Sequence, residues 1–260
     1  MWRRKWFIGL FIQFLVFQCA GIAFGEKDAA YTPTEERTVF SPFEKVEDWS
    51  VTIGASTDFY SAYVWRGQVL VDDPVFQPGA YVGIEKFTVS VWGNYSFDND
   101  EWTELDYTLD YTTGLDVLSS NLEKADLSVG YIYYDFPNLP AGDDSQELYA
   151  KVGVDTFLSP SAAVYWDFDQ GDGEYFEVAV EQNIPIRKAS LNLCASVGYD
   201  DGQWDYASSW SAALFGASLS VPIGDRIVVE PGVFYSLALD NQYDDEFYGG
   251  VSLSVLVWNK

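Results

Sequence analysis

The chain has 260 residues, with 14 Lys and Arg against 40 Asp and Glu and no histidine. Such an excess of negative charge excludes nucleic acid as a partner, because phosphates would be repelled. The lack of histidine removes the commonest general base and metal ligand, and with it Ser-His catalysis.

The first residues, MWRRKWFIGLFIQFLVFQCAGIAFGE, place Arg3, Arg4 and Lys5 before an apolar run and end on small residues. This is the layout of a secretory signal peptide, too short in its apolar part for a spanning helix, and cleavage is expected before Glu26. A retained N-terminal anchor is the alternative. Residues 26–47 are polar and aperiodic and are expected to form a flexible arm on the periplasmic side. From residue 48 to the end, segments of about ten residues alternate apolar and small polar positions, which is the pattern of strands with two unlike faces.

Twelve such segments follow in order, at 49–66, 75–85, 87–97, 103–113, 125–135, 146–156, 161–169, 174–184, 189–199, 209–221, 226–238 and 246–258. In FTVSVWGNYSF, Phe87, Val89, Val91, Tyr95 and Phe97 share one face, opposite Thr88, Ser90, Trp92, Asn94 and Ser96. The connections alternate as well. One set is short, as at Glu85-Lys86 and Arg187-Lys188, and most cations beyond the leader sit at that end or in the 26–47 arm. The other is longer and acidic, as in DNDE, NLPAGDDS and DNQYDDE. Aromatic residues of the apolar face, including Tyr95, Trp166, Phe176, Trp210 and Phe247, gather beside the acidic loops, while Trp49 and Phe87 lie near the other end.

These features together predict an all-β fold: an antiparallel, up-and-down transmembrane β-barrel of about 12 strands over residues 48–260. Its place would be the outer membrane of a Gram-negative-type bacterium, in contact with lipid and lipopolysaccharide. A soluble β-sandwich or barrel also alternates, but it usually carries charges on its outer face where this chain has Ser, Thr, Gly and Asn.

Alternation assigns the inner face. Candidate channel-lining residues are Arg66, Tyr81, Trp92, Glu104, Asp106, Lys151, Asp155, Glu177 and Glu230, with Asp110, Glu147, Asp167, Glu181, Tyr165, Tyr175 and Phe234 on the same face. Carboxylates dominate, so a narrow channel preferring small cationic or neutral solutes is expected. The alternative is a non-conducting structural or surface barrel whose acidic loops contact lipopolysaccharide and weakly held divalent cations. No enzyme activity, cofactor or dedicated metal site is expected. DFDQGDGE, Asp167 to Glu174, resembles a calcium loop, but Gly171 stands where an acid or Asn is wanted, and a tight hairpin is the favoured reading.

The segment STDFYSAYVWRGQ sets one of the few cations, Arg66, among aromatics. A strand from Trp49 to Gln68 is too long for a bilayer crossing of about 9–11 residues, so the part after Asp58 must rise past the lipid or bend into the barrel mouth. Arg66 is then expected on the inner face near the outer mouth, opposite carboxylates. It either acts on permeating ions or forms an ion pair that fixes the first loop.

Ser61-Ala62-Tyr63-Val64-Trp65-Arg66-Gly67 resembles the S-D-Y-x-F-R-G signature of the TorF-type porin family. Asp73 to Gly79, DPVFQPG, is similar to that family's Pro-x-x-Gln-x-Gly segment, and Val91 to Asn94, VWGN, to its G-x-W-G-S-N strand. Ala62 stands in place of the motif aspartate, and the end, Trp258-Asn259-Lys260, departs from the terminal aromatic usual in outer-membrane barrels. The resemblance implies an exported porin-like barrel and supplies no substrate.

Overall fold

The computed structural model describes residues 49–139 and 143–260. The leader at 1–25 and the arm at 26–47 lie outside the described residues. Fourteen strands occur in chain order: β1 Val51–Tyr60, β2 Tyr63–Trp65, β3 Gln68–Val71, β4 Val75–Ile84, β5 Phe87–Ser96, β6 Glu101–Gly114, β7 Ala125–Asp135, β8 Ser145–Val154, β9 Ser161–Asp167, β10 Gly173–Ile186, β11 Ala189–Asp201, β12 Ser209–Ile223, β13 Ile227–Ala238 and β14 Glu246–Asn259.

All but β2 and β3 form one closed antiparallel barrel in sequential order, sealed where β1 pairs with β14 from Thr52↔Asn259 to Tyr60↔Gly250. Closure leaves no unpaired strand edge, which is the condition for a sheet to stand in lipid. Eleven of the twelve barrel strands match their periodic segments within a few residues, and the first strand is shorter than its segment. Their mostly β-branched and aromatic alternation suits a pleated wall with one apolar side.

The outward side is apolar. Val82, Ile84, Phe87, Val89, Val91, Leu109, Leu148, Val178, Phe215, Val233 and Leu253 are exposed, on eight of the twelve barrel strands. Side chains of this kind turned outward all round the barrel match a hydrocarbon surrounding rather than water. Aromatic pairs stand beside the long loops: Tyr95 with Trp102, Trp166 with Phe168, and Tyr199 with Trp210, with ring centroids 5.4, 5.6 and 5.5 Å apart. Phe87 and Tyr111 pair at the opposite end, with centroids 4.9 Å apart. Two aromatic levels thus border the apolar band.

The inward side is polar and buried. The buried apolar cluster is not a layer between sheets but a group inside the barrel that includes Tyr60, Tyr63, Val64, Trp65, Trp92, Tyr134, Phe234 and Tyr248. It assembles around β2 and β3, which pair only with each other.

This corrects the extent expected of the first strand. β1 ends at Tyr60, and residues 63–71 turn back into the barrel as a hairpin. Trp65 pairs with Gln68 across the two-residue turn Arg66-Gly67, whose φ angles are 50° and 87°. Two positive φ values are the requirement of the tight hairpin turn that matches strand twist. Glycine meets it freely, and at Gly67 there is also no room for more, since a Cβ there would lie 2.6 Å from the Cβ of Ala212. The tip of the hairpin therefore reaches the wall at β12.

Candidate functional site

The hairpin places Arg66 inside the barrel toward the end with the longer loops, with 4% of its surface exposed. Its guanidinium meets the carboxylate of Glu147, on β8, in a two-point fork: Nη1 donates to Oε2 at 2.7 Å and Nη2 to Oε1 at 2.8 Å. Nη1 also donates to Oε1 of Gln203 at 2.5 Å. Three rings surround the cation, with its Cζ 4.4 Å from the centroid of Trp65, 4.5 Å from Tyr165 and 4.7 Å from Tyr175. A desolvated guanidinium is costly unless paired and hydrogen-bonded, and this arrangement supplies a fork and π-faces together.

The wall residues of this cage are held in place by the barrel. Glu147 accepts from the Tyr134 hydroxyl at 3.0 Å and from Gln203 Nε2 at 3.2 Å. The Tyr175 hydroxyl pairs with Ser211 Oγ at 3.2 Å. The Tyr175 ring also lies over Gly198 of the adjoining strand, where its hydroxyl leaves no room for a Cβ. Gln203 comes from the loop between β11 and β12, pinned by its own N–H to Asp200 Oδ1 at 2.8 Å. Asp200 in turn accepts from the hydroxyl of Tyr243, in the next outer loop, at 3.0 Å. Burial, then the neighbouring Asp200 carboxylate, hold the Tyr243 hydroxyl well above the ordinary tyrosine range, so it stays a donor.

The rest of the hairpin is anchored equally. The Tyr63 hydroxyl donates to Glu104 Oε2 at 2.9 Å, and its ring lies 5.5 Å from that of Trp92. Trp65 meets Tyr134 edge-on at 6.3 Å. Asp106 sits beside Trp92 across the β5–β6 pairing, and both are buried.

The structure brings together Arg66, Trp92, Glu104 and Asp106 of the expected lining set around the hairpin, and places Glu177, also buried, on β10 two residues beyond Tyr175. Tyr81 lies at a different level, with its ring against Gly54 of β1. Glu230 belongs to the opposite half, where Ser218, Ser220 and Asn192 donate to it. Lys151 is half-buried and acts electrostatically on Glu177 and Asp126. Asp155 does not stand on the inner wall. It follows the end of β8 in an exposed turn, with its N–H bonded to the Lys124 carbonyl at 2.7 Å, because the strand stops at Val154.

Gln203 was not marked by the sequence, since a loop residue carries no periodic signal. Glu147, Tyr165 and Tyr175 were on the inner face by alternation, but their convergence on one cation was not. The calcium-like loop is a tight turn. Asp167 caps it from within by accepting from the N–H of Asp169 at 3.0 Å and of Gly171 at 3.1 Å, and Ser145 Oγ donates to it at 2.7 Å.

No family model matches the chain, so the likeness to the TorF-type family rests on the signature residues alone. No curated protein matches it either. Among solved structures, an outer membrane channel from Pseudomonas putida F1 is similar, with TM-score 0.48, 11% identity, and 84% of this chain and 100% of that chain covered. The NanC porin gives TM-score 0.47, 12% identity, 78% and 98%. The β-domain of the Bordetella autotransporter BrkA gives TM-score 0.35, 9% identity, 80% and 99%. At such identities the likeness goes no further than the barrel architecture.

Proposed function

We propose that the chain is a porin-like barrel of the outer membrane that passes small cationic or neutral solutes through a lumen narrowed by the 63–71 hairpin. The observation that carries this reading is the sign of the buried interior. Among the described residues, Asp58, Glu104, Asp106, Asp110, Glu147, Asp167, Glu177, Asp200 and Glu230 are buried carboxylates, and Arg66 is the one buried cation. A low-dielectric tube lined with one sign of charge concentrates counter-ions and repels co-ions. Trp92, Glu104, Asp106 and Glu177 would border the narrow level, while Tyr81, Lys151 and Glu230 would line the remainder. Twelve strands enclose less than the sixteen of open aqueous pores, which fits small solutes. Export would depend on the leader at 1–25, and the arm at 26–47 would stand on the periplasmic side.

Reversal potentials across a planar bilayer in a KCl gradient test this. Cation selectivity is the expected result. Anion selectivity, or no conductance from a folded preparation, would refute it.

A second reading has its own observation. The hairpin folds into the barrel with Arg66 paired at both Nη atoms, which suits a closed structural barrel whose acidic loops meet lipopolysaccharide through weakly held divalent cations. Liposome swelling separates the two readings: the channel admits small solutes and the structural barrel admits none.

A further inference from the structure

We infer that the barrel wall carries a recognition site for a guanidinium group, and that Arg66 is its tethered, exchangeable occupant. Four of the groups that hold the cation lie outside the hairpin: Glu147, Tyr165 and Tyr175 on the wall strands and Gln203 in the β11–β12 loop. Glu147, Tyr175 and Gln203 each have partners other than Arg66. Glu147 is fixed by Tyr134 and by Gln203, and Tyr175 by Ser211, at 3.0, 3.2 and 3.2 Å. A carboxylate offering both oxygens to one planar fork, between two π-faces 4.5 and 4.7 Å from the cation, suits guanidinium geometry. An ammonium, a compact point charge, cannot use both oxygens in that way.

The resident occupant fits imperfectly. Arg66 holds a left-handed backbone, φ 50°, which non-glycine residues rarely adopt. Its Nε is buried with no hydrogen-bond partner among the described residues. A free guanidinium solute has no backbone constraint and would leave the rest of the site intact. Without a cation there, Glu147 would be a fully buried, uncompensated charge, so vacating the site favours another cation. The ligand class is therefore a small solute bearing a guanidinium group. Its entry expels the hairpin tip, and the consequence for permeation rests on the channel reading above.

Thermal unfolding of the reconstituted full-length barrel, titrated with methylguanidinium or methylammonium at matched ionic strength, tests the site. This readout reports binding whether or not the barrel conducts, so a failed channel and a failed site give different results. Arg66→Ala should be stabilised by methylguanidinium with an apparent affinity at least about tenfold above that for methylammonium, since the forked pair is lost to the latter. Arg66→Ala/Glu147→Gln should lose that preference. If Arg66→Ala does not assemble, Arg66→Gln serves in its place. Equal response to the two probes, or a preference that survives Glu147→Gln, would overturn the site. In the unaltered chain, methylguanidinium and not methylammonium should speed hydrogen–deuterium exchange across 63–71. Unchanged exchange would overturn the exchange of occupants.

Discussion

Removing Arg66 should destabilise the barrel far more than removing the whole ion pair. Both side chains are about 1% exposed, so removing the guanidinium leaves a buried carboxylate at Glu147 without its ion-pair partner. Breaking a buried pair from one side costs about 3–5 kcal/mol, chiefly the penalty of the stranded charge. The rings add to the loss, since a desolvated cation–π contact contributes about 2 kcal/mol. Arg66→Ala is therefore expected to cost at least about 3 kcal/mol. Arg66→Met with Glu147→Leu removes both charges and keeps the volume, and should bring the cost to within about 1 kcal/mol of the starting protein or below it. Equilibrium urea unfolding of the barrel in lipid vesicles, run as a double-mutant cycle with each single variant, gives the coupling directly. A loss under about 1 kcal/mol for Arg66→Ala, or a double variant as unstable as Arg66→Ala, would refute the account, because either means that the pair is solvated or unimportant.

Gly67→Val should strain the left-handed turn and drive a side chain into Ala212, 2.6 Å from the first added carbon; single-channel conductance should rise if the hairpin is displaced from the lumen. Tyr63→Phe leaves the buried Glu104 one donor short and should cost about 1–3 kcal/mol in the same unfolding assay. Val91→Arg puts a charge at mid-strand on the outward face of β5 and should cost about 2–4 kcal/mol in bilayers. Leu118→Arg, in an exposed turn beyond the strands, should stay within about 0.5 kcal/mol of the starting protein, and equal effects at 91 and 118 would remove the lipid belt from that face.

The barrel was legible in the chain because a wall with lipid on one side and a polar lumen on the other imposes a period of two on every strand. FTVSVWGNYSF carries it plainly, and β5 occupies Phe87–Ser96 with Val89 and Val91 outward and Trp92 and Asn94 inward. The same parity put Glu104, Asp106, Glu147, Glu177 and Glu230 inside. Asp155 failed because parity holds only while a strand lasts, and β8 ends one residue earlier. The first segment failed for a related reason. Alternation cannot distinguish one long strand from a strand and a hairpin, although Arg66-Gly67 between two β-forming runs was a turn signal in plain sight.

Sequence by itself determined that the chain would close a two-faced barrel of about twelve strands and which side chains would point inward within those strands, since both follow from local periodicity. Only the tertiary structure decided what those side chains meet. Arg66, Glu147 and Gln203 are separated by 81 and 56 residues along the chain. No local pattern encodes a contact between a hairpin tip, a wall strand and a distant loop. It arises because barrel closure brings those elements round one buried cation, which must find its carboxylate there.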